Sequence, residues 1–207
     1  SILATSDSMV VLTSALLLFA LAKLHRTQAG VWWLVIGALI GLGMNAKYTT
    51  AFLGIGAALW VVAVPIMRRW MLRTWPYLGA LIAMALFAPL VWWNAEHHWA
   101  SAVYQSSRMA VHQWSVRYVF ELIGSQIGLA TPSVFLLACI GLYWGARGKE
   151  LRAAWALLLF QIAPVYIYFL WHALHERVQG NWPECVYPAL ACAAALAVDV
   201  AVSRSGA

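Results

Sequence analysis

Residues 92–117 read WWNAEHHWASAVYQSSRMAVHQWSVR, the longest polar interval in a chain otherwise built of apolar runs. Glu96, His97, His98, Arg108, His112 and Arg117 are interleaved there with Trp93, Trp99, Tyr104 and Trp114. Charge, imidazole and indole gathered between two apolar helices describe a loop at a membrane surface. Two readings of it stand. It is an interfacial belt with solvated charges, at the depth Trp and Tyr favour in any membrane protein, or it is a surface that meets a polar ligand.

The sequence around this loop settles the class. Of 207 residues, 64% are hydrophobic and 10% charged, where a soluble domain carries about 25% charged residues. This is the composition of an integral membrane protein. Thirteen basic residues spread between apolar runs read as orientation signals, so no nucleic-acid partner is expected. Cys139, Cys185 and Cys192 lack metal-ligand spacing and read as inert thiols. The chain opens at Ser1 without a basic segment ahead of an apolar core. That start suggests the interior part of a longer protein rather than a signal peptide.

Seven apolar segments can be drawn, over 8–24, 31–46, 48–66, 76–93, 118–144, 153–171 and 184–202, against the ~20 residues that cross a bilayer. Their apolar runs are continuous rather than alternating, which excludes a barrel. The expected fold is all-α, one polytopic transmembrane helical bundle over residues 1–207. A tight hairpin should join the second and third segments across Asn45, Ala46 and Lys47. Gly37, Gly41 and Gly43 should allow close helix approach, and Pro89, Pro132, Pro164 and Pro188 should kink their segments.

If the segments alternate, Lys23, Arg26, Arg68, Arg69, Arg73, Arg147, Lys149, Arg152 and Arg204 fall on one side. Lys47, Arg108, Arg117 and Arg177 fall on the other. Nine against four marks the first side as cytoplasmic. The outer side collects Asp7, Glu96, Glu121, Glu176 and Glu184 and five of the six histidines, so it is the working surface.

Several outer residues are candidates. Asp7 is a helix-dipole partner or a carboxylate that positions a substrate. Lys47, beside Tyr48, either snorkels to the interface or holds a phosphate as a point charge. Arg108 offers a planar fork for phosphate or carboxylate, or pairs with a surface acid. Glu96, His97 and His98 could move protons. Adjacent histidines on a helix diverge, so they make a poor zinc site, which needs three or four converging ligands. In HALHERVQGNWPECVYP (172–188), Gly180-Asn181 marks a turn, and Trp182 is an interface anchor or a stacking ring.

Taken in order, TSD (5–7), GLGMNAKYT (41–49), PIMRRW (65–70), PLVWWNAEHHWASAVYQSSR (89–108) and GNWPECVYPAL (180–190) resemble the polyprenyl-phosphate-sugar-dependent glycosyltransferases. These are the bacterial relatives of dolichyl-phosphate-mannose protein mannosyltransferases, including the lipid A aminoarabinose transferase, with the GT-C membrane fold. The resemblance implies inverting transfer of a sugar from a polyprenyl-phosphate carrier to a lipid, glycan or protein acceptor. The site would lie at the outer, periplasmic face of a bacterial cytoplasmic (inner) membrane.

By the same resemblance Asp7 matches the family's second acidic position, usually preceded by Pro where Ser6 stands here. Lys47 matches the lysine that neutralises the carrier phosphate, and Arg108 would be its partner. His97 or His98 corresponds to a donor-side histidine. Tyr48, Glu96 and Asn181 complete the candidate substrate-binding set. The family's main catalytic acid lies on an external loop upstream of a segment like 8–24, so this stretch alone is expected to be inactive. The implied step needs no nucleotide at the outer face, no cofactor is assigned to it, and a divalent metal is compatible with it.

Two other classes fit a polytopic chain. A transporter or lipid flippase would need ionisable groups inside its helices, for which Glu121 and Asp199 are the candidates. An assembly subunit would tolerate loss of Lys47.

Overall fold

The computed structural model describes residues 6–101, 103, 114–148 and 152–205. Arg108, Tyr104 and His112 lie outside the described residues. Among those described there is no strand, and nine helices follow one another. They are α1 (Ser6–Thr27), α2 (Trp32–Ala46), α3 (Ala51–Ala63), α4 (Pro65–Arg68), α5 (Thr74–Glu96), α6 (Arg117–Leu129), α7 (Pro132–Arg147), α8 (Arg152–Ala173) and α9 (Tyr187–Ser205). The all-α helical bundle expected from the apolar runs is what forms.

Among the described residues, four stretches are long and apolar enough to cross a membrane: α1, α5, α8 and Glu184–Ser203. Two bent pairs bring the number to six if each counts as one span, and α2 is shorter. The segment expected over 118–144 is therefore corrected to two helices, α6 and α7, meeting at 102°. Pro132 is the cause. It disfavours the helical region for the residue before it, and Thr131 takes φ 62° and ψ 138°, a left-handed φ that β-branched residues rarely adopt. Pro132 thus opens α7 instead of kinking a longer helix, and Pro188 likewise sits in the first turn of α9. Pro89 and Pro164 do lie inside α5 and α8.

Close packing follows the small residues. A Cβ on Gly37 would run into the backbone of Gly79 on α5, and one on Gly41 would come within 2.8 Å of the Ala83 carbonyl. Gly56 on α3 faces the Phe160 backbone of α8, and Gly141 on α7 faces Ala193 on α9. Lipid tails are as apolar as leucine, so helices in a bilayer associate through such backbone approaches rather than through hydrophobic burial. The 45–47 turn is tight as expected, but the helices it joins diverge: α2 packs on α1 and α5, and α3 on α8. In α1 the hydroxyls of Thr13 and Ser14 donate to carbonyls three and four residues back, which leaves no polar group of theirs to the lipid. Only 11% of the apolar stretch of α5 is buried, against 44% for α1, so α5 lies at the periphery of the described residues.

Candidate active site

Lys47 is where three distant parts of the chain meet. α2 ends at Ala46, Lys47 turns extended (φ −162°, ψ 131°), and a 3₁₀ turn over Tyr48–Thr50 leads into α3. The extended residue directs its side chain toward the first turn of α1 and the start of the last span. There Lys47 Nζ lies 2.7 Å from Glu184 Oε1 and 3.2 Å from Asp7 Oδ1. Asn181 Nδ2 donates to the other oxygen of Asp7 at 2.8 Å.

The two ion pairs differ in kind. The Glu184 side chain is 4% exposed and that of Asp7 36%. A nearly buried carboxylate needs its partner, because removing a charge from water costs several kcal/mol unless it is paired. A carboxylate one-third exposed exchanges its partner for water or another ligand at little cost. Glu184 therefore anchors Lys47, and Asp7 is the exchangeable partner. With one cation and two carboxylates the trio carries net negative charge.

The loop that carries Asn181 and Glu184 is held from beneath. Gln126 on α6 is 2% exposed. Its amide donates to the Gly180 carbonyl at 2.7 Å, and its oxygen accepts from Tyr166 and Tyr187 at 3.3 and 3.4 Å. On the rim, Glu121 pairs with Arg117 and with Arg177 at 2.8 and 3.0 Å. Glu121 is thus a surface ion-pair partner at a helix end rather than the intramembrane charge of a transporter. Asp199 is exposed on α9. Neither group supplies the buried, mid-helix charge that a transporter reading requires.

Lys47 also borders a cavity of about 810 Å³. Tyr48, Phe52, Phe87, Trp99, Tyr168, Phe169 and Trp182 line it, with Asn94 and His172 among them. Thr49 Oγ1 and His172 Nε2, on lining residues, are buried without a hydrogen-bond partner among the described residues. Trp99 reaches this wall because His98 and Trp99 both take left-handed φ, 53° and 56°, and reverse the chain after α5. Buried Asn94 fixes the reversal: its carbonyl accepts from the Trp99 N–H at 2.7 Å, and its side-chain oxygen accepts from the Ser101 N–H at 3.1 Å. A cation at one edge of an aromatic, largely apolar chamber suits a ligand with an anionic head and a hydrocarbon tail.

Asp7, Lys47 and Asn181 come together as one hydrogen-bonded group, and Tyr48 lines the cavity beside them. Glu96, His97 and His98 do not join them. All three are exposed at the end of α5, and His97 stacks on Trp93 at 4.2 Å with its Nδ1 2.7 Å from the Trp93 carbonyl oxygen. Trp99 rather than Trp93 lines the wall. No group of three or more His, Cys, Asp or Glu able to hold a metal occurs among the described residues. Glu184 and Gln126 were not among the sequence candidates. Glu184 stands in the quoted GNWPECVYPAL, but its partner lies 137 positions away.

Comparison with known proteins adds one match. Residues 1–93, just under half of the chain, match the family described as dolichyl-phosphate-mannose-protein mannosyltransferase. No curated protein and no solved structure matches the chain. The matched part contains Asp7, Lys47, Tyr48 and most of α5, and ends before Trp99, Gln126, Asn181 and Glu184. The match supports a GT-C-type, mannosyltransferase-like membrane family. It supports glycosyl transfer from a lipid-linked donor as the class of activity.

Proposed function

We propose that the chamber beside Lys47 binds a polyprenyl-phosphate-linked sugar and that the sugar passes to an acceptor hydroxyl with inversion. The observation that carries this reading is the placing of Lys47, an anchored cation at the polar edge of an 810 Å³ aromatic cavity. The isoprenoid lies along Phe52, Phe87 and Phe169, and the phosphate takes the place of Asp7 on Lys47. Glu184 keeps the ammonium in position as the partners exchange.

Asp7, released from Lys47 but still held by Asn181, orients the acceptor hydroxyl, whose proton goes to the main catalytic acid that the family resemblance implies. The acceptor oxygen bonds to the anomeric carbon while the bond from that carbon to the phosphate oxygen breaks, and polyprenyl phosphate departs with the electron pair. Lys47 stabilises the charge that gathers there, which is where a fixed cation lowers a barrier. Arg108 is proposed as the second cation on the phosphate. It also offsets the negative charge that the carrier adds to the trio. The nine-to-four division of basic residues supports a periplasmic or exterior site on a bacterial inner membrane. The acceptor is a lipid, glycan or protein hydroxyl.

The test is sugar transfer by membranes containing the full-length protein, with a radiolabelled polyprenyl-phosphate sugar as donor. Lys47→Ala should lose about 10²–10³-fold in rate, the scale of losing one group aimed at developing charge. Arg108→Lys should keep part of the activity, because an ammonium cannot make the bidentate fork. A membrane-inserted Lys47→Ala protein with undiminished transfer would sink the reading.

A further inference from the structure

At the other end of α1 lies a second cavity, about 300 Å³, lined by Gln28, Gly30, Arg69, Trp70, Arg73 and Trp75. We propose that it binds the phosphate of an anionic phospholipid headgroup. The inference stands apart from the glycosyltransferase reading and uses none of its residues.

The position comes first. α1 has 22 residues, about 33 Å at 1.5 Å per residue, close to the ~30 Å of a bilayer's hydrocarbon core. If Asp7 marks headgroup depth in one leaflet, Gln28 marks it in the other. Pro65–Leu72 turns 104° from Tyr48–Ala63 and so runs across the end of the bundle. It buries Met67 and Trp70, while Ile66, Met71 and Leu72 stay exposed, Leu72 by 92%. Arg68, Arg69 and Arg73 punctuate the same segment. Apolar side chains open to acyl chains beside arginines at headgroup level describe an in-plane interfacial segment.

The chemistry of the pocket is one-sided. Gln28 Oε1 accepts from Arg69 Nη2 at 2.5 Å and from Trp70 Nε1 at 3.2 Å, which fixes one guanidinium on the wall. The Trp75 indole closes the floor against Gly30, where a Cβ would lie 2.5 Å from the ring. No carboxylate pairs with Arg68, Arg69 or Arg73 among the described residues. Two arginines and a tryptophan therefore line a space at which no carboxylate of the described residues pairs with them. Arginine's fork matches phosphate oxygens two at a time. The volume equals that of about ten liquid waters, room for a phosphate with its glycerol substituent.

The experiment is native mass spectrometry of the full chain in detergent, titrated with phosphatidylglycerol and, separately, with phosphatidylcholine. Bound phosphatidylglycerol should exceed phosphatidylcholine, and Arg69→Gln/Arg73→Gln should weaken it about tenfold or more, two arginine contacts' worth. Arg147→Gln/Arg152→Gln removes equal charge from exposed arginines outside the pocket and should change it less than about threefold. Arg73→Gln alone breaks no described side-chain bond, so it reads the site even where the double variant misfolds, and it should weaken phosphatidylglycerol measurably. Equal losses from both double variants would mean diffuse attraction and overturn the proposal. So would equal binding of the two lipids, or displacement of phosphatidylglycerol by inorganic phosphate at matched concentration.

Discussion

At the Ser6 end of α1 the cation Lys47 has two carboxylates within 3.2 Å, and those carboxylates are tied to a loop that a buried glutamine holds. At the Thr27 end Arg68, Arg69 and Arg73 have no carboxylate among the described residues; Arg68 donates to the Val62 carbonyl, and Arg69 shares the Gln28 side-chain oxygen with Trp70. The first end supplies its cation with carboxylates of the protein's own and is held in place. The second leaves its charge balance to the surroundings. A group that must aim at a reacting bond needs partners that fix it before substrate arrives, whereas a group that meets membrane lipid needs only to be accessible. The contrast predicts that substitutions at the first end damage the fold as well as function, and that those at the second leave the fold intact.

The largest effect should come from Lys47→Ala. It leaves Glu184, 4% exposed at its side chain, as an unpaired buried carboxylate, a change that costs about 3–5 kcal/mol. Thermal unfolding in detergent should show a large fall in midpoint. The double variant Lys47→Ala/Glu184→Gln should recover most of it, because no buried charge then remains. Arg73→Gln should shift the midpoint by no more than about 0.5 kcal/mol equivalent, as surface changes do. Equal shifts for the two single variants would erase the distinction between the ends.

Gln126→Leu should come next. It leaves the Gly180 carbonyl and two tyrosine hydroxyls without the partner they share, a loss of about 1–3 kcal/mol for unsatisfied buried groups. Because Gly180 immediately precedes Asn181, the variant should also weaken donor binding without removing any cavity-lining side chain. A stable Gln126→Leu protein with unaltered donor affinity would show that the loop holds its position without α6.

Parts of this contrast could be read from the chain, and the reasons are physical. The continuous apolar runs gave α1, α5, α8 and α9, because lipid demands an unbroken stretch of bilayer length. The break at Thr131 escaped that reasoning: residues 118–144 stay apolar on both sides of it, and only the Thr-Pro pair carries the signal. Lys47 with Asp7 and Asn181 was legible as a group on one side of the membrane. Glu184 as the anchor was not, since pairing across 137 residues depends on which helices pack together. Glu96, His97 and His98 were chosen for their chemistry, but two successive left-handed residues after α5 bring Trp99 to the cavity and leave those three outside. A run of such residues has no pattern that composition reveals.

The smallest effect tests whether the ordered end owes its order to buried or to exposed contacts. Arg177 and Gln126 hold the same loop to the same helix, one through an ion pair with Glu121 at 3.0 Å and the other through a hydrogen bond to Gly180 at 2.7 Å. The Arg177 side chain is 75% exposed, so its pair is worth no more than about 1 kcal/mol. Arg117 stays on Glu121 when Arg177 is removed, which reduces the loss further. Ions separate the two contacts cleanly, because the Debye length falls to about 3 Å at 1 M salt. Arg177→Ala should lower the unfolding midpoint slightly in dilute buffer and not at all in 1 M salt, while the Gln126→Leu deficit should persist in both. If salt instead abolished the Gln126→Leu deficit, the loop would be held by surface charge. The two ends of α1 would then differ only in how many charges each happens to carry.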